Sequence, residues 1–366
     1  MCDSDGDHAS DCLEQPEAAK RKRLITRRWL LFLLCCGGAA TGAISSLVPT
    51  VGRLRLAAEV NDSIRATTSE HAPLDLPATV QRLGGAESAA SKLGKYLTCP
   101  DWIADKKTEA ERILAACGTD AILPLLELLR SNNPRAKVHA LDVLGNMESV
   151  PASVFPQLLE ALKDTNASVR WRAAFVLGKT ASACAQTEQG LLCALADTSW
   201  EVRRSAALAL ADLRVKTSVA SLTRLLRDLH PSVRSSAATA LSLIAPDDQR
   251  VRAVVLRLLE DQEPSVRVAA IDYLGSSRHC ATRVQVHFVE ALKDDEWSVR
   301  RVAAVASGSV RTASKELLLA LQDAQESDAE YAVRDAAREA LEKIKKAQQE
   351  KQAKAKQPVE TPAKPD

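Results

Sequence analysis

The chain has 366 residues and a formal net charge of +2 from 49 basic and 47 acidic side chains, a balance that creates no whole-molecule field for steering onto nucleic acid. Hydrophobic residues make up 46% of it but aromatic ones only 3%, so the core must be built from Ala, Leu and Val, a composition suited to packed helices rather than sheets. The nine cysteines include no CxxC pair and no Cys/His cluster at ligand spacing, which excludes a disulfide-stapled miniprotein and a zinc finger.

Residues 1–28 are charged and aperiodic and read as a disordered tail, with acidic Asp3 to Glu17 followed by basic Lys20 to Arg28. From Trp29 to Val51 run 23 residues without a charge. As a helix this stretch would be roughly 34 Å long, enough for a hydrocarbon core of roughly 30 Å. The basic residues before it predict a transmembrane helix or uncleaved signal anchor with a cytoplasmic N-terminus and the rest of the chain outside. The alternative is a cleaved export signal: Thr26-Arg27-Arg28-Trp29-Leu30-Leu31 is similar to a twin-arginine signal, and Thr41-Gly42-Ala43 offers a small-residue cleavage site. Residues 52–77, with Pro73 and Pro77, read as a stalk, and 78–119 as N-terminal capping helices.

From 120 to 345 one phrase returns seven times, as in NASVRWRAAFVLG and HPSVRSSAATALS. Its basic residue is Lys137, then Arg170, Arg203, Arg234, Arg267, Arg300 and Arg334, a period of 31 to 34 residues that marks a repeat architecture. Each repeat predicts two helices, the first apolar at helical spacing and the second starting just before the Val-Arg pair. Pro134, Pro231 and Pro264 stand in the first turn of three second helices, where a missing N–H costs nothing. Three residues after the basic one comes Ala in all seven copies, Ala140 to Ala337, which lets neighbouring helices approach closely. Leu follows four residues later except at Ser307, which predicts the weakest rung in the sixth repeat. Residues 346–366, rich in Lys, Gln and Pro, read as a disordered tail.

This D-x5-R-x2-A-x3-L spacing resembles that of the HEAT-repeat family, in particular the short bacterial repeats of the phycobilin-lyase type. The resemblance implies an all-α, right-handed α-α superhelix. It also implies that the pairs Asp164/Arg170, Asp197/Arg203, Asp228/Arg234, Asp261/Arg267, Asp294/Arg300 and Asp328/Arg334 form an internal ladder between successive turns. The first copy departs from the pattern, with Ser131 and Lys137. A lyase-like enzyme is the alternative function by resemblance. The di-iron hydroxylases of this architecture use His-Glu dipeptides, and this chain has none.

No catalytic, cofactor or metal motif emerges. Leu177-Gly178-Lys179-Thr180 ends like a phosphate-binding loop but lacks the earlier glycine and the preceding strand. His287 reads as a packed core histidine, and Cys99, Cys117, Cys184, Cys193 and Cys280 as small buried hydrophobes. What remains is surface. Positions one, two and five after the basic residue should face out of each second helix on the concave side, and consecutive copies there carry Trp171, Arg172 and Phe175, then Arg204, Ser205 and Leu208. Trp171, Arg172, Phe175, Arg204 and Leu208 have the composition of an interface hot spot, unless Trp171 and Phe175 instead tuck against a neighbouring helix. The expected function is a membrane-tethered, non-enzymatic scaffold for a protein or peptide partner.

Overall fold

The computed structural model describes residues 41–67, 75–99, 106–180, 184–276, 282–310 and 312–355. Its contacts divide the chain into two units, Met1–Ala58 and Glu59–Asp366. Helix α1, Thr41–Arg65, supplies all the described residues of the first unit and the start of the second. The second unit continues with α2, Leu76–Arg82, and the pair α3, Ala86–Leu97, and α4, Lys107–Ala116. Seven further pairs follow, and among the described residues there is no strand.

The segment read as a stalk is therefore helical as far as Arg65. Val60 and Ile64, one turn apart, are fully buried, and Glu59 meets Lys92 of α3 at 2.6 Å. The prolines in this region mislead, because Pro77 occupies the first turn of α2, where Asp75 Oδ1 accepts the Ala78 N–H at 3.0 Å and caps the helix. Residues 29–40 of the expected membrane span lie outside the described residues, while 41–51 open α1. Among the described residues no helix is long and apolar enough to cross a membrane. At the other end the last helix runs to Ala355, so the first half of the expected tail is helical, and 356–366 lie outside the described residues.

The repeat pairs are α5 and α6 (Ile122–Arg130, Pro134–Asn146), α7 and α8 (Phe155–Ala161, Ala167–Thr180), and α9 and α10 (Ala185–Ala194, Trp200–Asp212). Then come α11 and α12 (Val219–Leu225, Pro231–Ile244), α13 and α14 (Gln249–Val255, Pro264–Ser276), α15 and α16 (Thr282–Ala291, Trp297–Ser307), and α17 and α18 (Lys315–Ser327, Tyr331–Ala355). Successive second helices touch along most of their length, whereas successive first helices barely meet. A stack that is tighter on one side curves toward that side, so the second helices line the inner face of the repeats.

Small residues make that closeness possible. The seven repeat alanines, Ala140 to Ala337, are all fully buried. A Cβ on Gly178 would stand 2.5 Å from Ala209 Cα of the next repeat, and one on Gly275 would stand 2.8 Å from Ala306 Cβ. Gly178 is thus a helix-crossing residue, and Lys179 beside it donates to the Gly145 carbonyl rather than facing a phosphate. Leu144, Leu177, Leu210, Leu241 and Leu274, one turn further along each second helix, are buried as well. Burial of each removes a side chain from water at a gain of about 2 kcal/mol. Ser307 takes the same buried place and satisfies its hydroxyl by donating to Ala303 O at 2.7 Å.

Two smaller expectations fail for identifiable reasons. His287 is half-exposed beside Glu290, because the buried stripe of α15 runs through Val284, Gln285 and Phe288. Gln285 tolerates burial by donating to Thr312 O at 2.8 Å and accepting Ser314 N–H at 2.7 Å, which ties α15 to the start of α17. Cys99 and Cys117 are buried, with the Cys117 thiol pushed up to about 11 by desolvation and Asp120, but Cys184 and Cys193 are exposed. These two line a cleft of about 1000 Å³ between α7 and α9, where the first helices splay and Gly190 faces Leu159 and Leu162.

Along one edge runs the charge ladder. Each arginine from Arg170 to Arg300 holds two consecutive loops: Arg170 donates Nη1 to the Asp164 and Thr165 carbonyls of its own loop, at 2.8 and 3.0 Å, and Nε and Nη2 to both oxygens of Asp197 in the next. Arg334, in the last copy, donates Nη1 to the Asp328 and Ala329 carbonyls of its own loop. Arg203–Asp228, Arg234–Asp261, Arg267–Asp294 and Arg300–Asp328 repeat the fork. Lys137 opens the series with a single bond to Asp164 at 2.6 Å. The carboxylate that an arginine grips is therefore that of the following repeat, while its own aspartate offers only the backbone carbonyl. Each aspartate also accepts the N–H two residues on, such as Ser199 N–H to Asp197 at 2.8 Å, fixing the turn between helices.

Candidate partner-binding face on the second helices

The five residues singled out by position lie on α8 and α10, on the inner row. Phe175 is 52% exposed, although its ring edge covers Gly145 of α6, close to where a Cβ would sit. Trp171 is half-buried, and the Arg172 guanidinium lies over its ring at 4.2 Å. Nε of Arg172 also donates to Asp142 Oδ1 at 2.7 Å, and Nη1 to Ser168 O at 3.3 Å. Arg172 is thus held in one place by three partners on two helices, and with it the Trp171 ring. Arg204 is exposed and Leu208 half-buried one repeat further on. The structure brings the α8 trio together as one partly desolvated patch, with Arg204 and Leu208 on the adjoining helix.

The same positions in the first repeat hold His139 and Asp142, and α4 contributes Glu111 across from them. His139 Nδ1 lies 2.5 Å from Glu111 Oε1. Burial pushes the Asp142 carboxyl up, and Glu111 adds to this, while Arg172 and His139 oppose it. The slot rule that marks Trp171 also marks His139 and Asp142. Glu111 carries no sequence signal, because the capping pair lacks the repeat signature.

Further along the inner face the chemistry thins out. The fourth repeat presents Ser235 and Thr239 in these slots, with Ser236 buried, the fifth Asp272, and the sixth Arg301 with Val305, which is 49% exposed. Burial raises the Asp272 carboxyl, partly offset by Arg301. The two helix-start tryptophans lie elsewhere, on the turn edge. Trp200 stacks on His230 at 3.9 Å with the rings 4° from parallel, and Trp297 is 44% exposed.

The sequence matches the HEAT repeats in five overlapping stretches, 122–187, 155–242, 188–275, 228–307 and 254–342. The chain belongs to the HEAT-repeat family. No curated protein sequence matches it. Among solved structures, the YIBA protein of E. coli is similar over 76% of this chain and 99% of its own, with 21% identity and a TM-score of 0.55. Kap95p, solved with RanGDP, is similar over 80% of this chain and 45% of its own, with 13% identity and a TM-score of 0.54. At such identities the likeness is one of fold, and a fold of this kind hosts many functions. HEAT membership agrees with the ladder and the alanine seam, and leaves the face of α4, α6, α8 and α10 as the place where this chain differs from its own other repeats.

Proposed function

We propose that this HEAT-repeat protein is a non-catalytic scaffold that holds a protein or peptide partner along the second helices, with Trp171, Arg172, Phe175, Arg204 and Leu208 as the anchoring patch. The observation that carries the reading is an aromatic ring 52% exposed beside a Trp–Arg stack that is already immobilised by Asp142. Side chains fixed before binding lose little entropy on binding, and Trp, Arg and Phe are residues that supply most interface energy. The partner's chemistry follows from the patch: an apolar side chain to cover Phe175 and a carboxylate for Arg204. Near-zero net charge argues against a nucleic-acid partner.

A membrane tether through residues 29–51 belongs to the same proposal and is supported by the 23 uncharged residues alone. Carbonate extraction with N-terminal sequencing tests it. Retention of Met1 in the extraction-resistant fraction supports an anchor, whereas a start near Ile44 in the soluble fraction supports export after cleavage.

The binding proposal is tested by selecting peptides from a random library on the purified chain and measuring them against Trp171→Ala/Phe175→Ala. Binding should fall at least about 30-fold, the equivalent of one hot spot at about 2 kcal/mol, with helicity unchanged. Equal affinity for the double variant would remove this patch from consideration.

A further inference from the structure

The cluster beside the anchoring patch has a chemistry of its own. One ligand atom from each of Glu111, His139 and Asp142 lies within 4.8 Å of the others, and the three side chains come from two helices, α4 and α6. We propose that Glu111, His139 and Asp142 form a binding site for one divalent transition-metal ion of the zinc class, at the junction between the capping pair and the first repeat. This goes beyond the partner-binding reading and does not depend on it.

The donor set and its spacing carry the argument. Zinc takes imidazole nitrogen and carboxylate oxygen at about 2.0–2.2 Å, so tetrahedral ligands stand about 3.4 Å apart. To reach that value the His139–Glu111 pair would open from 2.5 Å and Asp142 would draw in, and His139 and Asp142 stand one helical turn apart on the same face. The His139–Glu111 contact at 2.5 Å already brings an imidazole nitrogen and a carboxylate oxygen together across the two helices. The imidazole selects zinc, nickel or cobalt over calcium and magnesium, which prefer an all-oxygen shell.

Arg172 plays a supporting part. It takes Asp142 through Oδ1, which leaves Oδ2 to reach a cation, and metal-binding carboxylates are commonly oriented by a hydrogen bond of this kind. Two carboxylates against this one guanidinium leave the cluster with an excess of negative charge near a half-buried imidazole. Side-chain exposures of 20% for His139 and 13% for Glu111 keep the site reachable from the inner face while shielding it from bulk water. A fourth coordination position would open onto that face.

The test is calorimetric titration of the chelator-treated full chain with Zn²⁺, checked by the visible absorption of Co²⁺. One ion per chain should bind. Glu111→Gln and His139→Ala should each weaken binding by about 100-fold or more, and Arg172→Met by about tenfold, the scale expected for a group that only orients a ligand. His287→Ala, which alters a histidine beside Glu290 on another repeat, should change nothing. Should His139→Ala lose helicity, the near-isosteric Glu111→Gln and Asp142→Asn decide in its place. No saturable binding by the wild type, or binding indifferent to Glu111→Gln, would overturn the site and leave the cluster a local ion-pair network.

Discussion

The second and fourth repeats share a backbone plan and differ in what they show to the inner face. Both carry the buried alanine, Ala173 and Ala237, and both arginines, Arg170 and Arg234, fork onto the aspartate of the next repeat. In the corresponding slots the second repeat has Trp171, Arg172 and Phe175, and the fourth has Ser235 and Thr239 facing outward with Ser236 buried. The difference separates two kinds of position. Ladder, alanine and leucine slots are constrained by stacking, and where they depart from the pattern, as at Lys137 and Ser307, the new side chain still finds a partner; the outward slots carry less of that constraint, so a costly, sticky choice there points to binding.

The largest expected effect comes from breaking the part the repeats share. Arg203→Ala leaves the Asp228 carboxylate without its paired charge, with only the His230 N–H still donating to it, and the Asp197 carbonyl without its Nη1 donor, and should cost about 3–5 kcal/mol by chemical denaturation. The corresponding change in the outward slots, Trp171→Ala/Phe175→Ala, should cost at least about 2 kcal/mol in peptide affinity with a much smaller effect on stability. Gly178→Ala lies between the two classes. Its methyl would collide with the Ala209 backbone and should destabilise by about 1–3 kcal/mol, without altering any phosphate-dependent property. Ser235→Ala with Thr239→Ala should stay within about 0.5 kcal/mol of wild type, as expected for surface sites away from special features.

Acid should sharpen the same contrast. Burial pushes the Asp228 carboxyl up, but the Arg203 hydrogen bond, the His230 N–H and the nearby positive charges outweigh it, and the net shift is downward. Asp164, Asp197, Asp261 and Asp294 follow the same balance, and Asp328, where the Arg300 bond is the largest contribution, is also lowered. A carboxyl lowered on folding contributes stability above its unfolded value of about 3.9 and loses it as pH falls through the folded value. The ladder's contribution should therefore be flat from neutrality to about pH 4 and weaken below it, while Asp142 and Asp272, raised by burial, act in the opposite sense. Asp228→Asn should start less stable and lose less on acidification.

Much of the architecture was legible because stacking repeats itself. The Arg period fixes the helix pairs, and the Ala and Leu slots mark the buried seam. The ladder's partner was harder to read, because Asp164 precedes Arg170 by six residues and invites pairing within one repeat, while the fork reaches 27 residues ahead to Asp197. Helix α1 escaped notice because Val60 and Ile64 are only one turn of a stripe surrounded by charge. His287 reads from the sequence as a core residue, but the buried stripe of α15 passes through its neighbour Phe288 and leaves the histidine beside Glu290. Glu111 could not be found from the sequence, because only the crossing of α4 over α6 brings it to His139.

The most direct test of the account is backbone hydrogen exchange of the full chain with and without a library-selected peptide. The account predicts added protection on α8 and α10, from Ala167 to Asp212, with little change on α12. Protection confined to α7 and α9, around the outer cleft that contains Cys184 and Cys193, would contradict it.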